Sequence, residues 1–324
     1  MKEKNRILNK FDLDKTRPVL FSQSFGGSES QVRLLFKYVP DKNFENINLI
    51  LNNTDPNLIE KNRINILWVH HFINQKEVQN LSDKTYIDKV DYIVFNSMWN
   101  FKKHLQYFKI PEKKCVVIKN AIEEIEHIKK SKDQINLIYH TTPWRGLKLL
   151  LDVFKEIKKK ETLKLHVCSS TIIYGEKFSS EYENKFHDLF EDCKKSENVE
   201  FHSYMKNEKI IELLKDMHIF SYPSIWPETS CIAAIEAMAA GCEIVTTNLG
   251  ALVETCEKFG TFVNFETNSD NLKKKFREKL ESSIDNFWSE SNQQKLNKQS
   301  KEINKLYSWE IRKLEWINFL EKLK

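Results

Sequence analysis

The sequence predicts an α/β protein built from two Rossmann-like parallel-sheet domains. Three observations carry this. Short β-rich runs alternate with amphipathic helical patterns, as parallel strands with crossover helices require. The alternation occurs twice, on either side of the charged, weakly apolar stretch Glu123–Asp133. A chain of 324 residues exceeds one ordinary α/β domain and suits two of about 150 residues each. The expected division is 1–125 for the first domain, 126–303 for the second and 304–324 for a terminal helix.

In the first half, strands are expected at Pro18–Ser22, Ile47–Leu51, Ile64–His70, Tyr92–Asn96 and Val116–Lys119. Helical patterns cover Ser28–Tyr38 and Met98–Phe108. In the second half, strands fall at Ile135–Tyr139, Lys164–Ser169, Val199–His202, Ile219–Tyr222, Glu243–Thr247 and Thr261–Val263. Helices lie between them at Leu147–Lys159, Ser180–Lys195, Asn207–Met217 and Cys231–Ala240. From Asn271 the strand signal stops and two or three helices follow. The last segment, Tyr307–Leu323, sets Trp309, Ile311, Leu314, Trp316, Ile317 and Leu320 at helical spacing, a face that must be buried.

Hydrophobic residues make up 40% and aromatics 12% of the chain, which excludes a disordered or fibrous protein. No apolar run reaches the length of a membrane-spanning helix. Met1–Lys10 is too charged to be a signal peptide. The six cysteines form no C-x-x-C pair and no metal-ligand spacing, so they read as reduced thiols of a cytoplasmic protein. Of the net charge of +5, the excess lies early: residues 1–130 hold 22 lysines and arginines against 16 acids. A basic first half suits anionic lipid, an anionic acceptor or nucleic acid. No aromatic–basic motif of known type supports nucleic acid, so none is expected as a partner. The segment with Trp99, Phe101, Lys102, Lys103, Leu105, Phe108, Lys109, Lys113 and Lys114 has two readings. One is peripheral contact with an anionic membrane; the other is an ordinary amphipathic helix with solvated lysines.

The most informative segment runs from Tyr222 to Thr247. A strand ends at Tyr222, a loop containing Pro223 and Pro227 follows, and Thr229 or Ser230 is placed to cap a helix rich in small residues. Gly241 stops that helix and a β-rich strand follows. The loop then lies at the C-terminal edge of a parallel sheet, where open α/β folds bind ligands. A helix N-terminus there offers N–H groups and a positive dipole end to a diphosphate. Glu228 and Glu236, eight positions apart, would point from nearly one helix face. One carboxylate would meet a sugar and the other would accept from ribose hydroxyls.

This segment resembles the donor-site signature of family 4 retaining glycosyltransferases (glycosyl transferases group 1). The shared features are the two glutamates with seven residues between them, Glu236-Ala-Met-Ala-Ala-Gly, and Gly250 with Glu254 in the loop that follows. Phe25-Gly-Gly-Ser-Glu is similar to the family's N-terminal Gly-Gly loop. Trp68-Val-His70-His71 resembles its strand-end histidine, with His70 favoured over His71 on strand alternation. The His140 to Gly146 segment resembles the loop that opens the second domain, with Arg145 before Gly146 and His140 where an arginine is common. Asn120-Ala121 falls where the family has an Asn-Gly loop.

The resemblance implies the GT-B fold, with donor held between two domains and the last helix returning to the first domain. It implies catalytic roles for His70, Glu228 and Arg145. Donor contacts are implied for Gly26, Gly27, Arg145, Lys148, Ser224, Thr229, Ser230 and Glu236, although Lys148 also reads as a solvated helix residue. Arg145 can grip a leaving diphosphate bidentately. No metal and no cofactor are expected. The implied partners are a nucleotide sugar and an acceptor glycan or lipid-linked saccharide. The two glutamates lie on one side of the expected cleft, which argues against a hydrolase's flanking pair. A nucleotide-sugar epimerase of the same fold and a non-catalytic nucleotide-sugar binding protein are the alternatives.

Overall fold

The computed structural model describes residues 26–157, 162–172 and 176–323. The expected strand Pro18–Ser22 lies outside them. The described residues form two compact units. One runs to Ala121 and takes up the chain again from Tyr307; the other is Ile122–Leu306.

The first unit contains α1 (Gly27–Tyr38), β1 (Ile47–Leu51), β2 (Ile64–Val69), α2 (Lys84–Lys89), β3 (Tyr92–Phe95), α3 (Met98–Phe108) and β4 (Cys115–Val117). The strands stand in the order β1-β2-β3-β4 and every pairing is parallel. All five residues of β1 are buried, as expected when helices cover both faces of a parallel sheet and leave no solvated side. Val32, Leu35 and Phe36 of α1 share one core with Leu49, Trp68 and Val94. Val69, Tyr86, Phe95 and Phe108 share another.

In α3 the apolar side is committed to that second core: Phe108 is buried and Phe101 and Leu105 pack against the cluster. Lys102 and Lys103 stay exposed, with Met98 and Tyr107. Lys114 is structural, donating to the carbonyls of Ile87 at 2.7 Å and Val90 at 2.6 Å at the end of α2. No helix among the described residues is long and apolar enough to cross a membrane.

The second unit contains β5 (Ile135–Tyr139), α4 (Leu147–Glu156), β6 (Leu163–Val167), α5 (Glu176–Lys195), β7 (Val199–Phe201), α6 (Asn207–Asp216), β8 (Ile219–Tyr222), α7 (Ile232–Ala239), β9 (Glu243–Thr247), α8 (Leu252–Cys256), β10 (Gly260–Val263), α9 (Ser269–Asn286) and α10 (Glu290–Leu306). Its sheet order is β10-β9-β8-β5-β6-β7, again parallel throughout. The chain winds outward one way from β5 through β6 and β7, then returns to β8 and winds the other way. The β5/β8 seam is therefore the point where strand order reverses, and crevices for ligands open there at the strands' C-terminal ends.

The charged stretch after Ala121 is tied into the second unit. Ile125 exchanges hydrogen bonds with the Asn304 side chain, both at 2.9 Å. Lys130 is buried and its ammonium donates to the carbonyls of Lys215 and Ala240, each at 3.0 Å, closing the ends of α6 and α7. Burial pushes the Lys130 pKa down. Lys130 alone among the charged residues of this segment is buried at helix ends; Glu123, Glu124, Glu126, Lys129, Lys132 and Asp133 remain exposed.

The final helix, α11 (Trp309–Glu321), belongs to the first unit. Ser308 caps it by accepting from Ile311 N–H at 3.3 Å. Trp316 meets Trp68 edge-on at 4.8 Å, and Trp309 stacks on Tyr38 at 5.5 Å. The buried line is Trp309, Arg312, Trp316 and Leu320. Leu314, expected inside, is 55% exposed. Arg312 occupies the interior instead, because its long stem packs while its head reaches Glu315 at 2.5 Å.

Candidate functional site

The loops that follow β5 and β8 meet at the β5/β8 seam. Pro143–Arg145 forms one 3-10 turn, and Gly146 (φ 130°) turns the chain into α4. A Cβ on Gly146 would sit 2.2 Å from the Pro223 carbonyl oxygen, so only glycine lets the two loops touch. The loops also share a backbone bond, Ile225 N–H to Arg145 O at 3.2 Å.

Glu228 is buried and its carboxylate is gripped on one oxygen. Arg145 Nη1 donates to Oε1 at 2.8 Å, and Tyr222 Oη donates to the same atom at 2.5 Å. Burial, with the neighbouring Glu228 carboxylate next, pushes the Tyr222 phenol well above its usual range, so it stays a donor. The Glu228 backbone is held as firmly. Its carbonyl accepts from Ala251 N–H at 2.6 Å, and Gly250 (φ 69°) brings the loop so close that a Cβ would lie 2.5 Å from Glu228 N and O. Arg145 keeps 24% of its side chain exposed and lies over the Trp226 ring at 5.8 Å. It can therefore meet a ligand without leaving its partner.

The structure corrects the expected cap. Cys231, at φ −96° and ψ 94°, precedes α7, and the helix has no side-chain cap. The Glu228–Ala251 bond pins an irregular stretch that bends at Thr229, and the helix begins only after Cys231, so half-buried Thr229 and Ser230 fall short of the cap position. The first N–H groups of α7 are thus not used by a side-chain cap. The same geometry overturns the helix-face argument for the glutamates: Glu228 is in the loop, and only Glu236 is helical. Glu236 is buried and accepts from Asn207 Nδ2 at 3.0 Å. Burial raises its pKa to about 7, against the lowering effect of the Asn207 hydrogen bond.

Other predicted residues take varied places. Ser224 is fully buried, and its hydroxyl bridges Trp226 within the loop, at 2.9 Å to the carbonyl. His140 is buried edge-on against Phe220 at 5.0 Å, and burial lowers its pKa to about 4. A neutral imidazole cannot replace the arginine common at that place. Lys148 pairs with Asp152 on the exposed side of α4. Both line a half-open hollow of about 430 Å³ with Ile225, Phe265 and Glu266.

In the first unit, Gly26 is buried at the start of α1 and Gly27 is exposed. Strand β2 ends at Val69, one residue before His70, so strand alternation does not reach the histidine pair. Both histidines are buried. His70 packs edge-on against Trp68 at 4.7 Å, and His71 Nδ1 lies 3.6 Å from Glu77 Oε2. Asn52 holds the pair: its Oδ1 accepts from His70 N–H at 2.6 Å and His71 N–H at 3.2 Å, while its Nδ2 donates to Ser28 Oγ at 3.2 Å in α1. Asn52 is left-handed at φ 53°, a conformation asparagine tolerates. Sequence reasoning missed Asn52, Tyr222 and Asn207. For Asn52 the available signal was an asparagine pair directly after a strand.

Comparison with known proteins gives a consistent picture. Residues 118–303 match the profile of the family described as Glycosyl transferases group 1. An uncharacterized 41.2 kDa protein in the cps region of Klebsiella pneumoniae is 23% identical over 256 residues, covering 72% of this chain and 65% of that protein. Among solved structures, Anabaena Alr3699/HepE in complex with UDP and glucose aligns with TM-score 0.66 at 13% identity, over 93% of this chain and 84% of that one. Sucrose-phosphate synthase from Thermosynechococcus elongatus gives 0.66 at 14% identity, over 86% and 73%. A glycosyltransferase from Rickettsia africae gives 0.62 at 16% identity, over 81% and 71%. These likenesses show the fold, two Rossmann-like units of the GT-B type.

Proposed function

Because this chain belongs to the glycosyl transferases group 1 family, we propose that it transfers a sugar from a nucleotide-sugar donor to a glycan or lipid-linked saccharide. We take the reaction to retain the donor's α configuration and to need no metal ion. The observation that carries this is the Arg145–Glu228–Tyr222 cluster at the β5/β8 seam, beside a helix whose N-terminal amides have no side-chain cap.

The chemistry asks for little else. Negative charge builds on the departing nucleoside diphosphate, and Arg145 with the α7 amides can stabilise it as it forms. Glu228, anchored through Oε1 and its backbone, orients the sugar. Glu236 accepts from the ribose hydroxyls. Attack comes from the face the diphosphate leaves, with the leaving phosphate taking the acceptor proton. His70 is assigned to the transferred sugar, and Gly26 and Gly27 to the donor, on family resemblance. Six free cysteines suit a reducing, cytoplasmic setting. HepE was crystallised with UDP and glucose, which makes UDP-sugars the first donors to try.

The test is slow donor hydrolysis across UDP-, GDP- and ADP-sugars, read as released nucleoside diphosphate, with Glu228→Ala and Arg145→Ala alongside. Release from one donor by the wild type, lost in both variants, supports the reading and names the donor. Turnover to an epimeric nucleotide sugar without release would replace transfer by epimerisation. Absence of both binding and release with every donor would overturn the donor-site assignment.

A further inference from the structure

Strands β6 and β7 lie side by side in register, with His166 opposite Glu200 and Val167 opposite Phe201. Side chains alternate along a strand, so Glu200 and His202, two residues apart, project on one side, the side shared by His166. His202 continues the ladder, its N–H donating to Val167 O at 2.9 Å. Three groups able to bind a metal are thereby gathered by backbone pairing alone.

Their geometry is close-set. His166 Nδ1 and His202 Nε2 are 3.0 Å apart, with the rings stacked at 5.3 Å. Glu200 Oε1 lies 3.6 Å from His202 Nε2, and Oε2 lies 3.9 Å from His166 Nδ1. Three donors bound tetrahedrally at about 2.0–2.2 Å from one ion stand roughly 3.4 Å from each other. His166 Nε2 is buried without a hydrogen-bond partner among the described residues, so Nδ1 is the nitrogen this ring offers. The carboxylate's other neighbour is Lys164, whose Nζ is 3.4 Å from Oε2.

We propose that His166, Glu200 and His202 form a three-ligand site for a divalent transition-metal ion of the zinc class. Two imidazoles and one carboxylate match that class and not magnesium or calcium, which prefer all-oxygen sets. Water completes the coordination from the side of Glu200, which is half exposed. The ion clamps β7, a three-residue edge strand, to β6. It takes no part in transfer, since Arg145 and Glu228 follow β5 and β8. The proposal stands independently of the donor reading.

The test uses the full chain, stripped with chelator and titrated with Zn²⁺ by calorimetry, with Co²⁺ absorption as the spectroscopic check. One equivalent should bind, and the melting temperature should climb with free Zn²⁺. His166→Gln and His202→Gln should each weaken binding by at least about 10-fold. Glu200→Gln, at a half-exposed position where folding is spared, should weaken it by a similar factor and decides the matter where a histidine variant fails to fold. No uptake by the wild type, or uptake unchanged in Glu200→Gln and in the double histidine variant, would overturn the site.

Discussion

Arg145 and Glu228, 83 positions apart in sequence, are joined by a 2.8 Å ion pair on the Oε1 that also takes the Tyr222 hydroxyl. Both bonds fall on one oxygen, so losing the guanidinium leaves that oxygen of a buried carboxylate held by the phenol without its cationic partner. Arg145→Ala should therefore lower donor hydrolysis by about 100-fold or more. It should also lower stability by about 1–3 kcal/mol. Arg145→Lys should restore most of the stability and less of the activity, because an ammonium lacks the planar fork. Hydrolysis rates and thermal melts on both variants check this; equal activity in Lys and Arg enzymes would count against phosphate gripping.

The Gly250 contact makes a separate prediction. Alanine there meets Glu228 backbone atoms at 2.5 Å in a positive-φ conformation. Gly250→Ala should destabilise the protein by at least about 1 kcal/mol and cut donor turnover by displacing Glu228. An unaltered melt and rate would show that this loop approach is dispensable.

Asn52 is expected to act through the histidine pair. Asn52→Ala removes the shared acceptor of two buried N–H groups, at about 1–3 kcal/mol. Asn52→Asp keeps the acceptor and loses the donation to Ser28, so its melt should fall between the two. Turnover should follow the same order, with KM changing less than kcat.

The Glu236 carboxyl, with a pKa raised by burial to about 7, gives a pH signature. The folded form holds its proton where the unfolded chain, near the ordinary value of 4.5, has lost it. Stability from this group is thus full below that ordinary value and falls as pH rises toward about 7. Glu236→Gln should remove this slope and melt a few degrees above wild type at about pH 8. Donor binding should run the other way. Wild-type affinity should improve as pH passes about 7, and the Gln variant should stay weak and flat. Parallel pH profiles in the two proteins would refute a ribose-binding carboxylate.

Much of the fold was legible because the buried parallel strands are short runs rich in apolar and β-branched residues. Ile47–Leu51, Ile135–Tyr139, Ile219–Tyr222 and Glu243–Thr247 coincide with β1, β5, β8 and β9. The short helices Lys84–Lys89 and Leu252–Cys256 escaped, since too few turns fit to show a period. The site was legible as residue types and less so as geometry. Reading Glu228 and Glu236 as one helix face assumed a helix start set by hydroxyl caps, whereas contacts from Gly250 and Ala251, distant in sequence, keep residue 228 in a loop. Tyr222 was not legible for a similar reason, and Asn52 only as one of an asparagine pair after a strand: their importance lies in what they bond across the fold. Leu314 and Arg312 exchanged roles because a long polar side chain can lie along an interior that a periodicity argument reserves for leucine.

The return of α11 to the first unit has a consequence for how the chain is made. Trp309, Trp316 and Leu320 complete a core whose other members, from Val32 to Ala121, emerge from the ribosome far earlier. The second unit, contiguous from Ile122 to Leu306, has all its residues before α11 appears. During synthesis the earlier-made unit must therefore wait, its Trp68 pocket unfilled, while the later-made one can already close. Birth order and maturation order are reversed, and nascent chains stalled before Tyr307 should expose the Trp68 face to chaperones.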